Sequence, residues 1–87
     1  MRLRFYYTLG CHLCELAEAM LLAGKNASSI VVEEIDIGDS DALIERYGVR
    51  IPVVQRLDNG AELDWPFDAA RLGSFLVSDP QASETSE

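Results

Sequence analysis

The sequence predicts an α/β domain in which one mixed four-stranded sheet carries helices packed on its faces, in the order βαβαββα. Three observations lead there. An aromatic, strand-like segment at the N-terminus switches within a few residues to an apolar repeat of helical period. A β-branched run follows it. Two further strand-like runs then flank an Asn59-Gly60 pair. Strands joined through a helix run parallel with a right-handed crossover, whereas strands joined by a tight turn are antiparallel, so the sheet is mixed.

Arg2–Tyr7 reads as the first strand, bounded by Thr8-Leu9-Gly10. Leu13, Leu16, Ala17, Met20 and Leu21 fall at i, i+3, i+4, i+7 and i+8 and mark one apolar helix face. Glu15 and Glu18 lie off that stripe in the first turns, where the helix dipole favours acids. Gly24 followed by Lys25-Asn26 supplies a stop. The second strand is Ser29–Ile37, with Ile30, Val31, Val32, Ile35 and Ile37 as its β-branched residues. Ser40 is placed to cap a short helix whose Leu43, Ile44 and Tyr47 share a face, and Gly48 ends it in the C′ position. Pro52–Leu57 and Ala61–Trp65 read as the last two strands, with Asn59-Gly60 as a two-residue hairpin turn. Asp68 is a good N-cap for the final helix. Phe67 and Leu72 form a hydrophobic staple across that cap, and Leu72, Phe75 and Leu76 form the buried face.

The length of 87 residues suits one compact domain, expected over residues 1–77, with residues 78–87 as a disordered acidic and serine-rich tail. The apolar runs, such as Ala19–Ala23, fall far short of the roughly 20 residues that span a bilayer. Met1-Arg2-Leu3-Arg4-Phe5 is charged but leads into no apolar signal segment, so a cytoplasmic location is expected. In a reducing compartment two cysteines point to catalysis or metal binding rather than to a structural cross-link. Fifteen acids against seven bases give a formal charge of −8, a field that repels phosphate backbones and anionic lipid. Nucleic acid and membrane are therefore not expected partners. The charge fits plain solubility, or a bias toward electropositive proteins.

Cys11-His12-Leu13-Cys14 stands where the first strand meets the first helix. Unpaired backbone N–H groups and the positive helix end stabilise a thiolate at that position and lower its pKa. Cys11 is expected to be exposed and ionised, and Cys14, one turn inside, shielded and protonated. The pair then supports attack by Cys11, a mixed disulfide, and resolution by Cys14. A structural zinc site normally needs four Cys or His ligands, and the motif offers only Cys11, His12 and Cys14, so no metal site is assigned. Haem attachment needs a histidine directly after the second cysteine, where Glu15 stands. Inert core cysteines remain the plain alternative.

Pro52, at the head of Ile51-Pro52-Val53-Val54, opens a strand, a position that suits a residue unable to donate to a sheet ladder. The functional alternative is a cis Ile51–Pro52 bond that turns the Ile51 backbone toward the cysteines. There its amide would pair with an incoming extended peptide or thiol.

Phe5-Tyr6-Tyr7-Thr8-x-x-Cys11-x-x-Cys14, then Ile51-Pro52, then Asn59-Gly60, resembles the glutaredoxin branch of the thioredoxin superfamily, in particular the small bacterial glutaredoxin-like proteins, over about residues 2–77. The resemblance implies the thioredoxin fold, a nucleophilic Cys11, a resolving Cys14 and a cis Pro52 beside them. Departures are visible. Glutaredoxins commonly carry proline where His12 stands, a basic residue shortly before the first cysteine where Tyr7-Thr8-Leu9-Gly10 has none, and a Gly-Gly then Asp motif where Leu63-Asp64-Trp65-Pro66-Phe67-Asp68 stands. Asp68 is the residue left to take a glutathione amine, and it is equally a plain N-cap.

His12 either faces solvent as a neutral ring or, as imidazolium, stabilises the Cys11 thiolate. Tyr7 and Trp65 either pack into the core or line a groove beside the cysteines. Arg4, unusual on a central strand, is expected to extend its head to the rim. The expected function is thiol–disulfide exchange on disulfide-bonded or glutathionylated partners, by a monomer fed by glutathione or a thioredoxin reductase. No cofactor is expected to stay bound, and glutathione would act as co-substrate. Two alternatives use the same chain: an iron–sulfur or metal-binding module built on the same cysteines, and a docking domain without redox turnover.

Overall fold

The computed structural model describes residues 2–25 and 30–77. The chain forms β1 (Arg2–Tyr7), α1 (His12–Lys25), β2 (Val31–Asp36), a 3-10 turn (Ile37–Asp39), α2 (Asp41–Tyr47), β3 (Val53–Arg56), β4 (Glu62–Asp64) and α3 (Ala69–Val77). The predicted order is present, with the 3-10 turn added. The strands lie in the order β2-β1-β3-β4, with β1 parallel to β2 and β3 antiparallel to both β1 and β4.

Alternation along the central strands divides the core into two layers. Leu3 and Phe5 of β1, Val54 of β3 and Leu63 of β4 pack under α1 and α3, against Cys14, Ala17, Leu21, Leu72 and Leu76. Tyr6 and Val53 point to the opposite face and meet Ile37 and Tyr47, the latter on α2. The apolar stripe read from the sequence thus faces the sheet through Ala17 and Leu21, while Leu13 and Leu16 remain largely exposed.

Both expected caps are made. The Ser40 hydroxyl accepts from the Leu43 amide at 3.3 Å, and the Asp68 carboxylate accepts from the Arg71 amide at 2.8 Å. Phe67 and Leu72 are buried in one cluster, as a staple requires. Arg4 extends to the rim, where its guanidinium meets Glu33 of β2 at 3.1 Å.

Several local expectations are corrected. The second strand stops at Asp36, because its carboxylate accepts from the Gly38 amide at 2.8 Å and draws Ile37 into the 3-10 turn. The hairpin is not a two-residue turn. The favoured two-residue turns need positive φ at the first central residue, and type I′ at both, but Asn59 is not left-handed and only Gly60 is, at 75°. The Arg56 and Gly60 amides instead donate to the carbonyls of Ala61 and Arg56, closing a longer loop over residues 57–60. The Asn59 side chain accepts from the Ala61 amide at 2.9 Å. The resulting register pairs Val54 with Leu63 and Gln55 with Glu62. Gly48 is also not a left-handed C′ residue. It is the C-cap itself at φ −53° and ψ −36°, and the Arg50 and Ile51 amides satisfy the Tyr47 carbonyl in its place.

Arg56 is buried at 4% exposure, which the sequence did not foretell. Its guanidinium is held by both Asp58 carboxylate oxygens and donates to the Phe75 carbonyl in the last turn of α3 at 3.0 Å. A buried arginine needs such partners, and here they tie the hairpin loop to α3. Among the described residues no helix is long and apolar enough to cross a membrane. The expected tail at 78–87, the start of the second strand at Ser29 and the stop at Asn26 lie outside the described residues.

Candidate functional site

The turn out of β1 delivers Cys11 to the start of α1. Gly10 takes φ 79°, a left-handed conformation that costs glycine nothing. The chain then enters α1 with Cys11 as the capping residue. The Cys11 carbonyl accepts from the Glu15 amide at 3.2 Å, and its Sγ accepts from the Cys14 amide at 3.1 Å. The sulfur thereby takes the place a serine or aspartate oxygen holds in an ordinary cap.

Cys11 and Cys14 are joined in a disulfide, with Cα atoms 5.2 Å apart. Cys14 belongs to the core at 3% exposure, while Cys11 is half-buried against the same cluster rather than fully exposed. Access is thus unequal, with Cys11 the more exposed of the two. His12 is largely exposed, its Nδ1 3.8 Å from a Glu15 carboxylate oxygen. Among the described residues no group of three or more His, Cys, Asp and Glu side chains is arranged to hold a metal ion.

Pairing of Tyr6 with Val53 brings the Ile51–Pro52 segment to the end of the sheet from which the Cys11 loop departs. The Ile51–Pro52 peptide is cis, and so is Trp65–Pro66, a second such bond not anticipated from the sequence. Pro52 is buried, and its carbonyl accepts from the Trp65 amide at 3.1 Å. Ile51 packs against both core clusters. Its amide, however, donates to the Tyr47 carbonyl at 3.0 Å, so the hydrogen bond expected from that N–H to an incoming peptide is already spent within the fold.

The loop that presents Ile51 is fastened by a polar network. The Arg50 guanidinium grips Asp64 through Nε and Nη2, each at 2.8 Å, and Nη2 also reaches Glu62. The Tyr47 hydroxyl donates to the other Glu62 oxygen at 2.7 Å. Arg46 approaches Glu62 at 3.8 Å, and both arginines lie over the Tyr47 ring. Tyr47 stacks on Tyr6 at 4.1 Å, and Tyr6 donates to Gln55 at 2.8 Å. Hydrogen bonds from Arg50 hold the Asp64 carboxyl below its usual range. Burial pushes Glu62 up, but the bonds from Arg50 and Tyr47 outweigh it and leave that carboxyl lowered as well. Burial, then the bond to Glu62, pushes the Tyr47 phenol up. Sequence patterning gave no sign of this network, since it joins α2, a loop and β4. Its one local trace is that Glu62 and Asp64, two apart on a strand, share a face.

Tyr7 stacks on Phe5 at 6.0 Å and is half-buried against the first cluster, which satisfies its packing role. Partial burial, followed by the carboxylates of Asp36, Glu34, Glu18 and Asp39, pushes its phenol up. The mouth of the Cys11 loop therefore has an acidic flank. Trp65 is half-buried and meets Phe67 edge-on at 5.0 Å. Asp68 caps α3 and lines an open groove of about 700 Å³ with Glu62, Leu63, Asp64, Pro66, Phe67 and Arg71, to which neither cysteine contributes.

Comparison with known proteins gives a family and several solved relatives. Residues 2–77 match the glutaredoxin-like domain (DUF836). Among solved structures, the target protein XcR50 from X. campestris is 41% identical at a TM-score of 0.77, over 90% of this chain and 99% of that one. Protein Ne2328 from Nitrosomonas europaea is 31% identical at a TM-score of 0.71, over 85% and 88% of the two chains. Thioredoxin 1 from Thermosipho africanus, at 17% identity, shares the fold at a TM-score of 0.70 over 99% and 98%. No curated protein matches the chain.

Proposed function

Since the chain belongs to the glutaredoxin-like family and has the thioredoxin fold, we propose that it is a thiol–disulfide oxidoreductase acting through Cys11 and Cys14. The observation that carries this reading is the pairing of the more exposed Cys11 with a buried Cys14 at the start of α1, with the Cys14 amide on the Cys11 sulfur.

In the reduced protein the helix end and the Cys14 amide hold Cys11 as a thiolate. That thiolate attacks one sulfur of a partner disulfide. A Cys11–partner bond forms, the partner's S–S bond breaks, and the released thiolate takes a proton from water. Cys14 then gives up its proton and attacks the Cys11 sulfur. The intramolecular disulfide forms and the second partner thiol departs, so two electrons have passed to the partner. Two thiol equivalents, from glutathione or a thioredoxin-reductase system, restore the dithiol.

The substrates are protein disulfides or glutathione mixed disulfides. Two features favour a protein. Leu9, next to Gly10, and Val49, two residues before Ile51, are exposed aliphatic side chains on the two loops at the cysteine end of the sheet. The basic residue that glutathione recognition would use before the first cysteine is missing from Tyr7-Thr8-Leu9-Gly10. Ile51 and Pro52 form the backbone rim against which a peptide lies, and the Ile51 carbonyl is the atom offered to it. Asp68 is the candidate for a glutathione amine, and His12 stands at the entrance beside Cys11.

Incubating oxidised protein with dithiothreitol and a disulfide substrate tests this directly. Wild type reduces the substrate and Cys11→Ser is inactive, while Cys14→Ser, reduced and then freed of dithiothreitol before substrate is added, accumulates a mixed disulfide at Cys11. Full activity in Cys11→Ser would overturn the proposal.

A further inference from the structure

The loop between α2 and β3 is five residues long, Gly48 to Pro52, and its hydrogen-bonded anchors can be named. At its backbone, the Arg50 and Ile51 amides converge on the Tyr47 carbonyl at 2.8 and 3.0 Å. At its side chains, Arg50 alone reaches across to β4, where it holds Asp64 with a two-pronged grip and Glu62 with the same Nη2. Val49 is fully exposed and contributes no hold. Pro52 is fastened on the far side, through its carbonyl, to the Trp65 amide next to Asp64. The backbone of Ile51 is thus held by its amide on the Tyr47 carbonyl, by apolar packing and by the neighbouring Pro52 carbonyl. Among the described residues, Arg50 adds the one hydrogen-bonded side-chain tie from this loop to β4.

The geometry points to Arg50 as a positioning residue for substrate: its fork onto Asp64 and Glu62 sets the place of the Ile51 backbone, and through it the affinity for an extended peptide disulfide. This rests on the oxidoreductase reading above. Arg50 touches neither cysteine, so the inference separates binding from chemistry. A planar fork matching a carboxylate fixes orientation as well as distance, which a point charge does not. A loop freed from such a fork still folds back through the Tyr47 carbonyl, but its rim wanders. A small misplacement of a positioning group lowers productive binding without altering the nucleophile.

The experiment compares two probes with dithiothreitol as electron source: insulin, whose disulfides are flanked by backbone, and hydroxyethyl disulfide, which has no peptide to lay on the rim. In Arg50→Gln the KM for insulin should rise about 10-fold with kcat unchanged. The rate with hydroxyethyl disulfide and the reduction potential of the Cys11–Cys14 pair should stay at wild-type values. Asp64→Asn, which leaves the arginine in place but weakens its fork, should raise the insulin KM in the same direction. It serves as the second variant should Arg50→Gln fail to fold. Arg50→Lys, keeping charge without the fork, should resemble Arg50→Gln more than wild type. An unchanged insulin KM in the folded variants overturns the inference while wild-type turnover keeps the oxidoreductase reading. Equal losses on both probes also overturn it, since they mark a general redox defect. A wild type inactive on both probes overturns the two together.

Discussion

The two loops at the cysteine end of the sheet differ in what fastens them. The Cys11 loop is seated on hydrocarbon: Cys14, Ala17 and Leu21 of α1 pack on Leu3, Phe5 and Val54 of the sheet, with α3 closing the layer. The Ile51 loop, besides the apolar packing of Ile51 and Pro52, is fastened by tyrosines and charges, through Tyr47, Arg50, Glu62 and Asp64. Apolar packing carries no titratable group and makes the cysteine pair part of the core. An ion network is directional and can be tuned at the rim without disturbing that core. The lesson is a division of labour between a cysteine pair seated in the core and a separately fastened neighbouring loop.

The largest expected effect tests the first half of that comparison. Phe5 is 1% exposed at the centre of the apolar layer, and Phe5→Ala should cost about 3–5 kcal/mol in urea unfolding. A loss well under that range would mean that the layer collapses around the gap and that the cysteine seat is softer than drawn.

Acid should discriminate the two supports. The carboxyls of Asp64 and Glu62 lie below their ordinary values in the folded chain, so the folded state binds fewer protons there than the unfolded one. Their contribution to stability is complete above the unfolded pKa, about 4. It drains as pH falls through the lower folded values. Urea titrations from pH 7 downward should therefore show wild type losing more stability in acid than Arg50→Gln does. Parallel curves for the two proteins would break the claim that the network is an electrostatic fastening.

Smaller effects sharpen the picture at the helix starts. Ser40→Ala removes the acceptor of the Leu43 amide and should cost about 1 kcal/mol. Asp68→Asn keeps a capping oxygen but loses the charge, so stability should move by only a few tenths of a kcal/mol, roughly the spread among good caps. The same variant reads out glutathione: a raised KM for a glutathionylated peptide assigns the Asp68 carboxylate to the glutathione amine, and an unchanged KM leaves it a cap.

What the sequence determined by itself is the part written in short-range signals. β1 at Arg2–Tyr7, the caps at Ser40 and Asp68, the helix face through Ala17 and Leu21, and the position of Cys11 and Cys14 at a strand–helix junction each depend on residues within a turn or two of one another. Tertiary structure alone decided the rest. The register of β3 on β4, the burial of Arg56 against the Phe75 carbonyl and the Arg50 fork all depend on which distant groups arrive opposite each other. Periodicity and capping are local energies. Which donor meets which acceptor across a sheet is settled only when the strands have been brought together.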